Sequence, residues 1–294
     1  MSRGFVTIAT GDEHFYHIAS NLLLSYRLRC DDPMPFAIIC DRENDFTKGF
    51  DVVVPLQEPT CSYLDKLALP NLAPFDETIF IDADSLAYAD LNDFWEVFRD
   101  ASDFSAFGAD FPTSYPHAWF KIEDVGDFAS EISSIPDFIG GVYFVRKSEE
   151  LEKFARTCQL ILSRYDRFVF RQFDNPADEP IFALAMAVHG FRTAGGRSLP
   201  VCFYPHAEHF EADMLSGRVR YDSIYSRDKG IVEGAYLVHW GSGNTGRPCY
   251  LFQERLLSAL ANGESPGRCC TALMKASVSA KWAMRKIQSR FGML

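Results

Sequence analysis

The chain has 294 residues, of which 47% are hydrophobic, and a formal net charge of −11 at pH 7. This length can bury a large core in one domain, and the negative charge argues against general nucleic-acid binding. The sequence holds no run of about 18 uncharged apolar residues, so we expect no membrane span, and its eight cysteines form no CxxC pair of the kind that marks zinc sites.

Strands and helices are predicted to alternate over the first 82 residues. Apolar runs predict strands at residues 5–10, 36–40, 51–55 and 78–81. Large apolar residues near helical spacing predict a helix at 13–28, and a second helix is expected at 62–69. Such an alternation is typical of a mostly parallel sheet with helices on its faces.

The second half of the chain continues in the same way. We expect helices at 91–99, 151–165 and 250–261, and one that starts at Asp178. Strands are expected at 103–110, at 138–145 where Gly140 and Gly141 open the run, and at 200–204 and 235–240. Residues 112–134 are expected to form a long loop, and 262–267 a linker.

Asp82 and Asp84 directly follow the apolar strand 78–81. Residues i and i+2 of a strand point to the same face, so the two carboxylates can converge beyond the strand end. Open α/β sheets bind their ligands outside the carboxyl ends of the strands. Two oxygen donors there suit Mn²⁺ or Mg²⁺ with a phosphorylated substrate, whereas a solvated loop with two incidental carboxylates is the alternative.

His239 closes the last predicted strand and is followed by a glycine-rich run at 241–246 and by Arg247. The imidazole is a candidate third metal ligand, with a structural hydrogen-bonding role as the alternative. The glycine-rich run can bring backbone N–H groups to phosphate oxygens, and Arg247 can bind a phosphate in a bidentate manner. A surface turn closed by an ion-paired arginine is the alternative for this segment.

In this order, the motifs resemble those of GT-A nucleotide-sugar glycosyltransferases, nearest the glycogenin-like and bacterial lipopolysaccharide-type retaining enzymes. The resemblance covers roughly residues 5–255. It implies an α/β fold of GT-A type, with a Rossmann-like, mostly parallel sheet and helices on both faces. We therefore expect a single domain at residues 1–262, followed by a basic helical tail at 263–294.

The resemblance also implies roles for individual residues. Asp178 and Glu179 resemble the acidic helix start near the reacting carbon. The expected metal ligands, for Mn²⁺ or Mg²⁺, are Asp82, Asp84 and His239. The residues expected at the nucleotide sugar are Ala9, Thr10, Asp12, Tyr16, Lys66, Asp82, Gly140, Gly141, Gly241 and Arg247.

The pattern departs from that family in its last element. Gly241 follows His239 by two positions rather than three, Arg247 stands where the family has lysine, and Cys249 or Tyr250 replaces its tryptophan. These departures leave the subfamily open.

Several of these residues also have simpler interpretations. Asp12 and Asp178 can each cap a helix, Lys66 can be a solvated surface lysine, and the Gly140-Gly141 pair can mark a bulge. Asp41 and Asp110, which end predicted strands, are secondary candidates for ligand contacts.

The expected function is metal-dependent transfer of a hexose from a nucleotide diphosphate sugar, most simply a UDP-sugar, to a hydroxyl of a saccharide or lipid-linked saccharide. Retention of configuration is implied by the resemblance. The alternatives are a phosphatase of the haloacid dehalogenase type, a nucleotidyltransferase, and a nucleotide-sugar-binding protein without activity.

From Ser265 onward the chain has six basic residues and no acidic one. Ala280, Met284, Ile287 and Phe291 share one helical face in this tail. A peripheral contact with an anionic membrane and docking on the acidic body are both open. With no signal-peptide pattern at the start, we expect a cytoplasmic protein, either free or peripheral on the inner face of the membrane.

Overall fold

The structure is a computed structural model that describes residues 1–115, 119–171, 173–195, 201–223 and 231–290, without the side chains of Glu208, Ser223 and residues 285–290. The chain forms two compact units. The first unit comprises Met1–Ser20, Pro33–Ala83 and Asn92–Leu199. The second unit comprises Asn21–Asp32, Asp84–Leu91 and Pro200–Leu294.

The described part of the chain contains strands and α-helices joined by short 3₁₀ helices. The strands are β1 (Arg3–Ala9), β2 (Phe36–Cys40), β3 (Val52–Pro55), β4 (Glu77–Ile81), β5 (Ser85–Ala87), β6 (Phe104–Phe111), β7 (Ile135–Arg146), β8 (Ala194–Gly195), β9 (Val201–Phe203), β10 (Ala207–Asp213), β11 (Arg218–Ser223), β12 (Ile231–Glu233) and β13 (Leu237–His239). The α-helices are α1 (Glu13–Arg29), α2 (Leu69–Leu72), α3 (Phe94–Val97), α4 (Glu149–Ser163), α5 (Asp178–His189), α6 (Pro248–Ala261) and α7 (Arg268–Arg290).

The first unit is built around a seven-stranded sheet in the order β3-β2-β1-β4-β7-β6-β8. The strands from β3 to β4 run parallel, and β8 is parallel to β6, whereas β7 is antiparallel to both β4 and β6. Every residue of β2 and β4 is buried, as expected for central strands covered on both faces. The predicted α/β fold with a mostly parallel sheet is therefore confirmed.

Helices α4 and α5 pack against each other, and α5 packs against β7. α4 buries Leu151, Phe154, Cys158 and Ile161, a spacing of three to four residues that gives a helix one apolar face. α5 is buried over nearly its whole length, and its apolar sequence fits that position. The start of α5 is thereby held against the sheet.

The second unit contains two three-stranded sheets. In one sheet β13 lies between β5, which is antiparallel to it, and β9, which is parallel to it. In the other sheet β10, β11 and β12 form an antiparallel meander. Trp240, directly after β13, is fully buried and packs against the rings of Tyr204, Phe210 and Tyr250.

Two predicted helices are not continuous α-helices. Residues 62–69 form a 3₁₀ helix at Tyr63–Ala68 that leads into the four-residue α2. Pro70 has no N–H to donate to the carbonyl of residue 66, so an α-helix cannot run through this point. Residues 91–99 likewise form a 3₁₀ turn, Leu91–Asp93, followed by α3.

Other predicted boundaries are corrected as well. The Gly140-Gly141 pair lies inside β7 rather than at its start. Asp178 is the first residue of α5 and not its N-cap, a position that Ala177 occupies without a side-chain hydrogen bond. The sequence predicts none of the strands β5, β8, β10, β11 and β12, since short or charged strands lack a clear hydrophobic alternation.

In the tail, α7 packs against α6, with Val278 buried and Met284 exposed. Ala280 and Met284 belong to the predicted apolar face and are both exposed. The side chains of the other two residues of that face, Ile287 and Phe291, lie outside the described part of the chain. The domain limits of 1–262 and 263–294 stay a prediction. Among the described helices, none has the length and apolar character needed to cross a bilayer.

Two ion pairs of the buried Glu77 join β1, β4 and β7 and yield a prediction about stability. Glu77 accepts hydrogen bonds from Arg3 Nε (2.6 Å) and Arg146 Nε (2.9 Å). We expect Glu77→Ala to lower the free energy of unfolding by about 1–3 kcal/mol, because two arginines lose a buried partner. The control Glu150→Ala, which breaks an exposed pair with Lys153, should change it by at most about 1 kcal/mol in urea titrations.

The same ion pairs predict a pH dependence. Burial raises the pKa of Glu77, but the hydrogen bonds from Arg146 and Arg3 outweigh burial and hold the pKa below its ordinary value of 4.5. The contribution of Glu77 to stability is therefore complete above pH 4.5 and is lost as the pH falls through the lower folded-state pKa. An equal loss of stability on acidification in the wild type and in Glu77→Gln would contradict this.

Candidate functional site

The predicted acidic pair lies where β4 ends. Asp82 follows β4 directly, and its backbone N–H donates to the carbonyl of Gly141 on β7 at 2.9 Å. Asp84 precedes β5. The pair is thus held at a strand end, as predicted from the sequence.

Asp84 and His239 are brought together by the pairing of β5 with β13. Ser85 is the register partner of His239, and the Trp240 N–H donates to the Asp84 carbonyl at 3.0 Å. His239 Nε2 lies 3.1 Å from Asp84 Oδ1, and only 8% of His239 is exposed. The two side chains therefore meet in a largely dehydrated environment.

Asp82, Asp84 and His239 could hold a metal ion. Each offers one ligand atom, and these atoms all lie within 4.8 Å of one another. Carboxylate oxygens are the ligands that Mg²⁺ and Mn²⁺ prefer, and imidazole is a common ligand of transition metals. This donor set fits the expected divalent ion.

Lys66 lies at the centre of a buried cluster in the first unit. Its Nζ is 2.8 Å from Asp82 Oδ2, 3.2 Å from Asp178 Oδ2 and 3.4 Å from the carbonyl oxygen of Gly140. Only 15% of the Lys66 side chain is exposed, so its interpretation as a solvated surface lysine is wrong. The lysine instead joins two of the predicted site carboxylates.

The charge of Lys66 is maintained by these carboxylates. Burial lowers the pKa of Lys66, but Asp178 and Asp82 outweigh burial and raise it above its ordinary value. The ammonium group of Lys66 therefore stays protonated at neutral pH.

Glu179 and the glycine pair form the next part of this cluster. The Gly140 N–H donates to Glu179 Oε1 at 2.8 Å. Ala106 pairs with Tyr143, whereas Gly108 pairs with Phe138. The four residues 139–142 of β7 therefore lie opposite a single residue of β6, which makes β7 bulge. The bulge interpretation of Gly140-Gly141 is thus confirmed, and the bulge presents backbone groups to both Asp82 and Glu179.

The turn after β1 contains a second group of predicted residues. Thr10 Oγ1 donates to Asp65 Oδ2 at 2.6 Å. Asp65 also accepts hydrogen bonds from Thr60 and from the Cys61 N–H, so it ties the 60–61 loop to the end of β1. Ala9 is buried at the end of the strand, and its side chain serves the core.

Tyr16 and Asp41 support the same turn. The Tyr16 hydroxyl and the Gly11 N–H both donate to Asp41 Oδ1. Burial raises the pKa of Asp41, but these two hydrogen bonds outweigh burial and lower it. The Arg42 guanidinium lies 4.9 Å from the centre of the Tyr16 ring. Tyr16 is 0% exposed, so a nucleotide could reach its ring only after a neighbouring group moved.

Asp12 is exposed, and its carboxylate accepts a hydrogen bond from the His14 N–H (2.8 Å) at the start of α1. The helix-capping interpretation is therefore confirmed, and it leaves the carboxylate accessible.

The segment after β13 has the open backbone that its glycines predict. Gly241 has φ +71°, a left-handed conformation that favours glycine. A 3₁₀ turn, Ser242–Asn244, then leads to Arg247 at the N-cap of α6. The Arg247 side chain is exposed, and it forms no ion pair with another described residue. The alternative of an ion-paired arginine is thus not supported among the described residues.

Three residues of these clusters were missed or underrated by sequence reasoning: Asp65, Tyr143 and Asp41. The Tyr143 hydroxyl donates to Asp178 Oδ2 at 3.0 Å. Asp65 sits inside a predicted helix and Tyr143 inside an apolar strand, so neither has a local pattern that points to a site. Asp41 ends a strand, and that position was its only signal. Asp110 accepts from the Thr193 N–H, a structural contact.

Solved structures with the same fold exist. The galactosyltransferase LgtC, crystallised with donor and acceptor sugar analogues, matches with a TM-score of 0.50 and 14% identity, over 89% of this chain and 96% of LgtC. An active-site mutant of LgtC matches with a TM-score of 0.51 and 15% identity, over 88% of this chain and 95% of the mutant. No family model matches the sequence, and no curated protein matches it. The likeness establishes the predicted GT-A glycosyltransferase fold.

The contact between Gly140 and Glu179 yields a prediction. A Cβ at residue 140 would clash with the Glu179 carboxylate, so Gly140→Ala must displace it and break its hydrogen bond. We expect a loss of about 1 kcal/mol in the free energy of unfolding, measured in urea. Gly267→Ala, where a Cβ meets open space, is the control and should lie within about 0.5 kcal/mol of the wild type.

If the clash with the Glu179 side chain causes this loss of stability, Gly140→Ala should lower the free energy of unfolding only slightly in a Glu179→Ala background, because the clashing side chain is already gone. An undiminished loss in that background would show that the backbone of β7 itself rejects the methyl group.

Proposed function

We propose that this chain, which has the GT-A glycosyltransferase fold, is a metal-dependent enzyme that transfers a hexose from a nucleotide diphosphate sugar to a hydroxyl acceptor. A UDP-sugar is the donor that the resemblance favours, and the acceptor is a saccharide or a lipid-linked saccharide. The observation that carries the proposal is the group of Asp82, Asp84 and His239 at the end of β4, whose ligand atoms lie close enough to share one ion.

Asp82, Asp84 and His239 would hold Mn²⁺ or Mg²⁺. When bound, such an ion stabilises the charge that develops on a leaving diphosphate. The protein residues around it have separate tasks. Asp82 is oriented by Lys66 and by the backbone of β7, and His239 is fixed by the pairing of β13 with β5 and β9.

The remaining charged groups fit the donor. Arg247 carries an exposed guanidinium at the end of the glycine-rich segment, suited to a phosphate. Asp178 presents a fixed carboxylate that can accept hydrogen bonds from sugar hydroxyls or face the developing positive charge of the sugar. Thr10 and Asp12 flank the turn after β1, where the resemblance places the nucleoside.

The protein contacts of Asp178 and Glu179, the two carboxylates at the start of α5, support retention of configuration. An inverting enzyme needs a base that takes the acceptor proton. Asp178 is held by Lys66 and Tyr143, and Glu179 is bonded to the Gly140 N–H. Both carboxylates are thus held in place by groups of the protein, a role suited to orienting and stabilising the sugar. We therefore propose that the leaving phosphate assists in deprotonating the acceptor.

When the purified enzyme transfers its sugar, we expect a retained product, with the anomeric configuration of the new glycosidic bond read from its proton couplings by NMR. An inverted product would contradict the retaining mechanism and would indicate that Asp178 or Glu179 is the base that takes the acceptor proton.

Two other functions remain to be tested against the first. A phosphatase of the haloacid dehalogenase type would use Asp82 as a nucleophile, and it is disfavoured because the fold is that of GT-A glycosyltransferases. A nucleotide-sugar-binding protein without activity would keep the metal group and lack turnover. We propose a cytoplasmic location, with the basic tail available for contact with an anionic membrane that carries the acceptor.

The test of the metal-dependent site is a thermal-shift panel of nucleotide diphosphates and nucleotide sugars, with and without Mn²⁺. A ligand present at about 100 times its Kd should stabilise the protein by about 2.7 kcal/mol, which is a rise of several degrees in Tm. We expect this rise to require both the nucleotide and Mn²⁺, and to disappear in Asp84→Asn. The matched control Asp93→Asn changes an exposed carboxylate and should retain the full rise.

Absence of any Mn²⁺-dependent rise with every nucleotide diphosphate would count against the proposed function. Release of phosphate from p-nitrophenyl phosphate would instead favour the phosphatase. Binding without transfer or donor hydrolysis would favour the inactive binding protein.

A further inference from the structure

Tyr143 is a fully buried tyrosine in the centre of β7. Its ring packs among the rings of phenylalanines on β4, β6, β7 and α5, with centroid distances between 5.1 and 6.0 Å. These phenylalanines are Phe80, Phe104, Phe138 and Phe182. A phenylalanine at position 143 would make the same ring contacts, so packing alone does not require a hydroxyl group here.

A buried hydroxyl group carries a desolvation cost unless it finds a partner. The Tyr143 hydroxyl donates to Asp178 Oδ2 at 3.0 Å. Burial and the nearby Asp178 carboxylate raise the pKa of Tyr143 well above its ordinary value, so the hydroxyl keeps its proton. The residue is thus a fixed hydrogen-bond donor aimed at Asp178.

Lys66 approaches the same carboxylate oxygen. Its Nζ lies 3.2 Å from Asp178 Oδ2, so a neutral donor from β7 and a cation from the 3₁₀ helix Tyr63–Ala68 converge on one atom. The other oxygen of Asp178, Oδ1, receives no hydrogen bond from the residues that the structure describes. The protein therefore holds one oxygen of a side chain that is only 6% exposed, and the other oxygen can still accept a hydrogen bond.

We infer that Tyr143 is a positioning residue of the proposed transfer site: its hydroxyl orients the Asp178 carboxylate so that Oδ1 faces the donor sugar. This inference rests on the proposed function, because it takes Asp178 to be the carboxylate that meets the sugar. Tyr143 itself touches no substrate. Without the Tyr143 hydroxyl, only Lys66 would hold the Asp178 carboxylate, and Lys66 also forms an ion pair with Asp82.

A purely structural role would be to anchor the start of α5 on β7. The two roles differ in what they change, since an anchor affects stability whereas a positioning contact affects turnover through Asp178. The substitution Tyr143→Phe separates them, because it removes the hydroxyl and leaves the ring packing in place.

The expected result for Tyr143→Phe is a fall in kcat of about tenfold, because a misplaced carboxylate stabilises the transition state less well. KM for the nucleotide sugar should rise by only about threefold, so that the larger effect is on kcat. Steady-state rates of transfer, or of donor hydrolysis, measure both. The matched control is Tyr165→Phe, a buried tyrosine whose hydroxyl donates to the Phe173 carbonyl, and it should leave kcat unchanged.

A double-mutant cycle tests whether Tyr143 acts through Asp178. In an Asp178→Asn background, Tyr143→Phe should lower kcat by less than about twofold, because the group it orients is already altered. A full tenfold loss in that background would overturn the inference. So would a kcat for the single variant equal to that of the wild type.

A binding measurement serves as a second readout. By calorimetry with Mn²⁺, Tyr143→Phe should bind the free nucleotide diphosphate as the wild type does, and should lose about threefold or more of the extra affinity that the sugar adds. If both the sugar-dependent affinity and kcat of Tyr143→Phe equal those of the wild type, the inference about Tyr143 is wrong, but the proposed function still stands. A wild-type protein that binds no nucleotide diphosphate overturns the proposed function, and this is seen before any variant is made.

Discussion

The candidate site depends on one buried cation. The ammonium group of Lys66 lies between the carboxylates of Asp82 and Asp178, within 2.8 and 3.2 Å of them. Two buried carboxylates of like charge would repel each other, and one of them would take up a proton, unless a cation stood between them. Buried ion pairs contribute little net stability once desolvation is counted. The cluster is therefore better explained by what it presents to a ligand than by its contribution to folding.

The backbone of β7 completes this arrangement. The bulge at Gly140 and Gly141 places a carbonyl against Asp82 and an N–H against Glu179, on the strand that also carries Tyr143. One strand thus connects the acidic end of β4 with the acidic start of α5. Sheet pairing, rather than a flexible loop, positions these groups, and rigid elements hold site geometry better than loops do.

The chemistry of the site follows from how its carboxylates are occupied. In the second unit, His239 Nε2 lies 3.1 Å from Asp84 Oδ1, an arrangement that suits joint binding of an ion. Asp178 and Glu179 are engaged by protein donors, which suits orientation and charge stabilisation rather than proton abstraction. In the proposed enzyme the ion stabilises the leaving diphosphate and the oriented carboxylate stabilises the sugar, so no single strong base is required. The GT-A fold is consistent with this division, although the fold alone does not specify a reaction.

The features that depend on local spacing could be predicted from the sequence. The alternation of apolar runs predicted β1 to β4 and the mostly parallel sheet, and the Asp82-Ala83-Asp84 spacing predicted a shared ligand site at a strand end. The partners of Lys66, Asp65 and Tyr143 depend instead on how distant segments of the chain pack. Lys66 looks like a surface residue and Tyr143 like a core residue, because a pattern of neighbours cannot show which distant side chain a buried polar atom will meet. Strand register and the packing of α5 on β7 decide that, and both arise only when the sheet assembles.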